Sequence, residues 1–394
     1  MQLAKIGATP KGGVCRVALT EEDRQARDLF CTWAREAGCQ IRIDAIGNIM
    51  ARRPGRNPDA APVMTGSHID SQPLGGKFDG AFGVMAGLEV IRALNDAGIE
   101  TEAPIDVVDW TDEEGARFAA GCIGSGVFAG IRELHQALAL SDADAVNLEE
   151  ALKAIGYKGP EAVGGYPVKA YFEAHIEQGP ILESENLAIG AVVGAQGQRC
   201  FIMTVSGEDG HAGTLPMDKR RDAFIGAAKM AVALNELATL YEPAAVITIG
   251  HVRVQPNSRN TVPGKTIFTI DSRHPESAVL KQMETDMLRI CRDIAATDGL
   301  ELSAEAVTRA EPVRFDDTCI EAVRVACRNR QIRFMDIHSG AGHDACKIAA
   351  VAPTGMIFVP CKGGISHNEL ESAKPGDLAT GAQVLLDAML QSAR

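Results

Sequence analysis

The chain has 394 residues, of which 46% are apolar and 23% charged, and it carries a formal net charge of -13. That length exceeds the usual size of one hydrophobic core and predicts two domains, while the composition excludes a disordered or fibrous chain. The acidic balance argues against nucleic acid or an anionic membrane as partner, because the basic pairs Arg52-Arg53 and Arg220-Arg221 are too short to form a binding patch.

Residues 21 to 37, opened by Thr20 as N-cap with Asp23 three residues later, read as a helix ending at Gly38. Two short apolar strands follow, Pro62 to Thr65 leading into G-S-H-I-D and I-D-V-V-D-W leading into T-D-E-E-G. Each runs straight into polar residues, and ligand groups of open α/β sheets gather at such carboxyl ends. Between about 196 and 310 the texture changes: F-I-M-T-V, a helix from Arg221 to Ala238, V-I-T-I-G-H-V, T-I-F-T-I-D-S-R and a further helix. That succession predicts a small α+β unit with antiparallel pairs. The earlier style returns with A-P-T-G-M-I-F-V-P and a closing helix from about Leu378 to Leu390. The expected fold is α/β: a layered catalytic domain with a mixed sheet, formed by 1–195 and 311–394, interrupted by a smaller α+β domain over 196–310.

Ten cysteines lie scattered from Cys15 to Cys361 without C-x-x-C pairs, which predicts reduced, mostly buried thiols. No apolar run approaches ~18 residues, and the first residues lack the basic-then-apolar pattern of a signal peptide, so a cytoplasmic protein is expected.

The strongest chemical signal is G-S-H-I-D-S-Q-P-L-G-G-K-F-D-G, whose glycines let the backbone return Asp79 towards His68. A carboxylate can bridge two cations, and imidazole suits zinc, manganese, cobalt or nickel. Asp70 is placed to orient the His68 ring as an outer acceptor. In W-T-D-E-E-G, Glu113 and Glu114 point opposite ways if the chain is extended, so one can bind a cation while the other handles a proton. His175 in Y-F-E-A-H-I-E-Q-G-P and His367 in G-G-I-S-H-N-E-L-E complete five candidate ligands, the number and type that a two-metal hydrolase needs. Taken singly, a histidine or an acidic pair is more often structural. Their joint setting favours a site, whereas His135, His251, His274 and His338 lack such a setting and are read as surface or hydrogen-bonded residues.

Together with G-G-V-C-R-V-A-L-T, D-A-I-G-N-I, T-D-E-E-G-A-R-F, G-H-A-G-T-L-P-M, P-N-S-R-N-T-V-P-G and S-G-A-G-H-D-A, these motifs span nearly the whole chain in order. The sequence resembles the hydantoinase/carbamoylase family of amidohydrolases, which includes N-carbamoyl-L-amino acid hydrolases, β-ureidopropionases and allantoate amidohydrolases. The resemblance implies that His68, Asp79 and His175 hold one divalent metal, that Asp79, Glu114 and His367 hold a second, and that Glu113 is the general base. It implies a dimerisation and lid role for the inserted unit, whose His211, Asn260 and Arg273 complete the pocket, with Gln178 and Arg199 as lesser candidates. The sequence departs from the family pattern at Gly210 and Leu215, where Asn and Thr are expected, which bears on the loop beside His211.

Under this resemblance the expected reaction is hydrolysis of the ureido C–N bond of an N-carbamoyl-L-amino acid to the amino acid, ammonia and carbon dioxide, carried out by a homodimer on a small ureido carboxylate. Arg273 would hold the substrate carboxylate by two parallel hydrogen bonds, and His211 would stabilise the developing oxyanion. Allantoate hydrolysis is the main alternative, followed by a deacylase or dipeptidase, and by a catalytically silent binding protein on the same scaffold. Ammonia release separates the ureido hydrolases from the deacylase and peptidase.

Overall fold

The computed structural model describes residues 1–393, which divide into two compact units, 1–193 with 314–393, and 194–313. No helix among the described residues is long and apolar enough to cross a membrane.

The larger unit is built on a mixed sheet. Its strands lie in the order Gln40–Ile43, Ile49–Arg53, Ile105–Asp109, Val63–Ser67, Ala170–Ile176, Thr354–Val359 and then Ile189–Ala195. The central four run parallel to one another, and the pairs at either side are antiparallel. Val63–Ser67, Ile105–Asp109, Ala170–Ile176 and Thr354–Val359 are buried along their whole length, as parallel strands covered on both faces must be. The helices Ala81–Asp96, Pro375–Ser392 and Asp317–Asn329 pack side by side against them. Glycines set the approach of the first: a Cβ on Gly83 would lie 2.5 Å from the Ala174 carbonyl oxygen, and one on Gly87 would lie 2.8 Å from Val107. The start of that helix is thereby drawn close to the carboxyl ends of the central strands.

The first helix forms as the sequence indicates, over Glu21–Glu36. Thr20 accepts from the Asp23 N–H, and Gly38 leaves the helix with φ 83°. Its Ala26, Phe30 and Ala34 are buried in the core, and a side chain such as Phe30 stabilises by ~1.5–3 kcal/mol. All ten cysteines are free thiols.

The smaller unit has a sheet ordered Val252–Gln255, Lys265–His274, Gly197–Ser206, Glu301–Ala310, all antiparallel, with Val246–Thr248 also paired to Lys265–His274. Alternate residues of Gly197–Ser206 and Lys265–His274 are buried under the helices Ala223–Thr239 and Ser277–Thr297. Phe201, Met203, Phe268, Met230, Leu234 and Met287 form this separate core. The strand Glu301–Ala310 carries no sequence signal: E-L-S-A-E-A-V-T-R-A lies at the sheet edge, largely exposed, where charged residues discourage further strand addition.

Candidate metal centre and active site

The seven candidate residues of the larger unit converge at the carboxyl ends of its central strands. Val63–Ser67 delivers His68, Ala170–Ile176 carries His175 near its end, and Ile105–Asp109 leads to Glu113 and Glu114. Asp79 precedes Gly80, the N-cap of Ala81–Asp96, which has φ 61° and whose missing Cβ would fall 2.3 Å from the His68 ring. Only glycine combines that backbone with that approach.

Asp79 presents its two oxygens to different partners. Oδ1 lies 3.8 Å from His68 Nε2 and 3.2 Å from His175 Nε2. Oδ2 lies 3.6 Å from His367 Nε2, and that same nitrogen is 3.2 Å from Glu114 Oε2. Two groups of donor atoms, His68–Asp79–His175 and Asp79–Glu114–His367, therefore share Asp79. Tetrahedral ligation at ~2.0–2.2 Å places neighbouring donors about 3.4 Å apart, so this spacing fits divalent cations. Both buried imidazoles are turned the right way: His68 Nδ1 faces the Asp70 carbonyl at 2.9 Å and His175 Nδ1 the Ile176 carbonyl at 2.8 Å. A carbonyl oxygen only accepts, so each Nδ1 carries a proton, and in the neutral ring Nε2 is the nitrogen left with a lone pair for a cation.

Two expectations change here. The acceptor that orients His68 is the main-chain carbonyl of Asp70 and not its carboxylate, which stands 3.7 Å away. That carboxylate instead accepts the N–H groups of Glu113 and Glu114, at 3.3 Å each. The two glutamates sit in a turn rather than on an extended strand, with Asp112 at φ 53° and Gly115 at φ 62°, and the turn is what separates their side chains.

Glu113 Oε2 is 3.5 Å from His68 Nε2, and Oε1 accepts from the Cys122 thiol at 3.2 Å. Burial, reinforced by Asp344, Glu114 and Asp70, pushes its carboxyl well above the usual carboxylate range. Glu114 is held below that range: burial works against it, but the hydrogen bond to His367 prevails. Burial likewise opposes ionisation of Asp79, which the contacts with His175 and His68 nevertheless keep ionised. His367 is raised to about 8 by Glu114, and His175, despite its burial, to about 9 by Asp79. Gln178 donates from Nε2 to Asp79 Oδ2 at 2.9 Å, and its own Oε1 is buried without a hydrogen-bond partner among the described residues.

Two neighbours escaped the sequence reading. His343 is buried with its ring 4.6 Å from that of His175, and its Nε2 lies 2.8 Å from Ser339 Oγ. It could join Glu173 and His175 as a third donor group, but Glu173 is already occupied by Ser67, Tyr171 and the Ala345 N–H. Glu371, the last letter of G-G-I-S-H-N-E-L-E, accepts the N–H groups of Phe78 and Asp79. An acidic residue four positions beyond a ligand was the only signal for it.

In the smaller unit, His211 and Asn260 come together: His211 pairs with Thr261, and the Ala212 N–H donates to the Asn260 carbonyl at 2.9 Å. His211 Nδ1 accepts from the N–H groups of Gly213 and Thr214, at 3.1 and 3.2 Å, so its proton resides on Nε2. A Cβ on Gly210 would lie 2.5 Å from Leu215 Cδ2, so the two unusual residues of this loop fit each other. Arg273 meets Asp271 in two hydrogen bonds of 3.0 Å, the geometry expected for a substrate carboxylate. Arg199 is only 2% exposed and binds Glu284, Glu311 and the carbonyls of Gln198 and Ala310, an internal network within the smaller unit. His274 is buried and accepts from the Glu276 N–H, in keeping with a hydrogen-bonded structural residue.

The family model of Peptidase family M20/M25/M40 matches residues 64–391. The chain belongs to this family. The family is metal-dependent, and the chain carries candidate metal-binding groups. As an M20 family member it is 46% identical over 397 residues to an N-carbamoyl-L-amino-acid amidohydrolase of Rhizobium meliloti, a match spanning 100% of this chain and 94% of that protein. It is 35% identical over 397 residues to an allantoate amidohydrolase of Escherichia coli (strain K12), covering 99% and 96%. The crystal structure of a hydantoinase/carbamoylase family amidase from Burkholderia multivorans matches it with a TM-score of 0.97 and 53% identity, covering 100% and 96% of the two chains.

Proposed function

We propose that this M20 family member hydrolyses the ureido C–N bond of N-carbamoyl-L-amino acids, using two divalent cations (Zn, Mn, Co or Ni) that share Asp79. The observation that carries this reading is the division of the Asp79 oxygens between two sets of donors, Oδ1 towards His68 and His175, Oδ2 towards His367, itself paired with Glu114. The full-length similarity to an N-carbamoyl-L-amino-acid amidohydrolase supports the substrate class.

Cations bound there supply polarisation of the ureido carbonyl and make a nearby water acidic near neutral pH. With positive charge held among these carboxylates, the Glu113 carboxyl would fall again and could accept a proton. Glu113 takes the proton from the attacking water and delivers it to the leaving nitrogen as the C–N bond breaks. The carbamic acid left behind falls apart into ammonia and carbon dioxide. The unpartnered Gln178 Oε1 is free to accept from a ureido N–H. His211, with its proton on Nε2, donates to the developing oxyanion, Asn260 lies beside it, and Arg273 binds the substrate carboxylate. In this reading the inserted unit serves as lid and homodimer interface, and the enzyme acts in the cytoplasm.

The test is ammonia release by cation-reconstituted protein on N-carbamoyl L- and D-amino acids, N-carbamoyl-β-alanine and allantoate. Turnover highest on an N-carbamoyl-L-amino acid is expected. Highest turnover on allantoate would establish the second reading, which the full-length similarity to an allantoate amidohydrolase keeps in play. Release of acid or amino acid without ammonia would indicate a deacylase or peptidase, and no turnover on any of these would indicate a silent scaffold. A fully active monomer in sedimentation would remove the dimer from the proposal.

A further inference from the structure

We infer that Glu371 is a positioning residue for Asp79, holding its main chain so that both carboxylate oxygens remain available to cations. The inference rests on the reading of Asp79 as the ligand shared by two cation sites. Glu371 is 2% exposed, and its Oε1 accepts the Phe78 N–H at 2.8 Å and the Asp79 N–H at 3.1 Å, joining residues 292 positions apart. Its Oε2 lies 3.4 Å from Ser366 Oγ, which itself donates to Asp79 Oδ2 at 2.5 Å. One carboxylate therefore ties the main chain of Asp79 to the segment that carries His367.

The segment needs such a tie. Gly75, Gly76 and Gly80 flank Phe78 and Asp79, and glycine loses more conformational freedom on ordering than any other residue. Gly76 is itself shaped to Glu371, since a Cβ there would lie 1.9 to 2.1 Å from the carboxyl atoms. Gln178 and Ser366 also hold Asp79, but they donate to Oδ2, a lone-pair site that a cation would claim. Glu371 accepts from two main-chain N–H groups and, at 3.4 Å, from the Ser366 hydroxyl, and leaves both oxygens of Asp79 alone. It belongs to none of the donor groups able to hold an ion, which separates it from the ligands.

A merely structural acceptor would affect folding and leave the cation affinity of the folded protein unchanged. The experiment is calorimetric titration of Mn2+ into the chelator-stripped full chain, at a temperature where circular dichroism shows every variant folded. Glu371→Ala is expected to weaken binding at least tenfold. Glu371→Gln keeps a carbonyl oxygen for both N–H groups and is expected to bind within about threefold of wild type. Gly76→Ala, whose methyl displaces the carboxyl, is expected to weaken binding as Glu371→Ala does. Wild-type affinity in Glu371→Ala, or equal weakening in Glu371→Gln, overturns the inference. Should Glu371→Ala fail to fold, wild-type affinity in Gly76→Ala overturns it alone. Wild-type Mn2+ binding that survives Asp79→Asn would refute the shared-ligand reading itself, and with it this inference, a result distinct from the others.

Discussion

Replacing Glu113 by glutamine should make the metal-free protein more stable and the loaded enzyme nearly inactive, two effects that a structural residue does not combine. The side chain is enclosed, with Asp344, Glu114 and Asp70 as like-charged neighbours, and its carboxyl is pushed well above the usual range. A carboxyl raised on folding binds more protons in the native state. Its contribution is therefore full below the unfolded value, near 4.3, and is lost as pH rises through the folded one. Glutamine cannot ionise. It keeps an oxygen for the Cys122 thiol and offers an N–H to His68 Nε2, which lies 3.5 Å from Oε2 and bears a lone pair. Metal-free Glu113→Gln should then melt above metal-free wild type, and the gap should widen with rising pH. Turnover should fall by roughly 10²–10⁴, the usual worth of general acid–base help, which is about 2.7–5.4 kcal/mol of barrier. The assays are thermal denaturation of stripped protein from pH 5 to 9, elemental analysis of loaded protein, and ammonia release. Cation content that drops in step with activity would make Glu113 a ligand, and a melting temperature below wild type at high pH would refute the electrostatic argument.

Arg273→Lys should raise the Michaelis constant for N-carbamoyl-L-amino acids about ten- to a hundredfold, because loss of a two-point carboxylate contact costs ~1.5–3 kcal/mol. Equal losses on acid and carboxamide substrates would place carboxylate recognition elsewhere. Arg199→Met should instead lower stability by roughly 2–3 kcal/mol, less than a fully buried pair would lose, because Glu311 reaches solvent; urea unfolding measures it. Unchanged stability with a raised Michaelis constant would assign Arg199 to substrate binding instead. Gly210→Ala should reduce kcat/KM at least tenfold by forcing Leu215 aside, and Leu215→Ala in the same chain should restore part of it. Strictly additive losses in that double-mutant cycle would show that the two residues do not act as a pair.

Fold legibility followed burial. The strands leading to His68 and Glu113 are short apolar runs buried on both sides, and such runs announce themselves without any alternation. The helix Glu21–Glu36 was legible from its ends, Thr20 and Gly38, whose chemistry is local. The strand Glu301–Ala310 was not, because an edge strand keeps one ladder and little packing, and nothing requires its residues to be apolar. The inserted unit showed itself by a change of texture, since its sheet is covered by helices on one side and therefore alternates.

Within the site, what could be read were side chains of a type that suits cations, which the fold brings together. What could not be read were the groups that hold them, because those bonds join distant segments or use the main chain. His68 is oriented by a carbonyl that any residue could supply, so the side chain of Asp70 was a misleading clue and serves the Glu113–Glu114 turn instead. The arginines make the same point. Arg199 and Arg273 stand on neighbouring strands with Ser272 paired to Arg199, and both carry the same planar cation. What sets Arg199 apart is Glu284, 85 positions away, and Glu311, 112 positions away, which enclose its guanidinium, whereas the carboxylate facing Arg273 comes from Asp271, two residues before it. Arg273 meets the Asp271 carboxylate in two hydrogen bonds, the pairing that a substrate carboxylate would take, and it is therefore Arg273 that the search for carboxylate recognition should begin with.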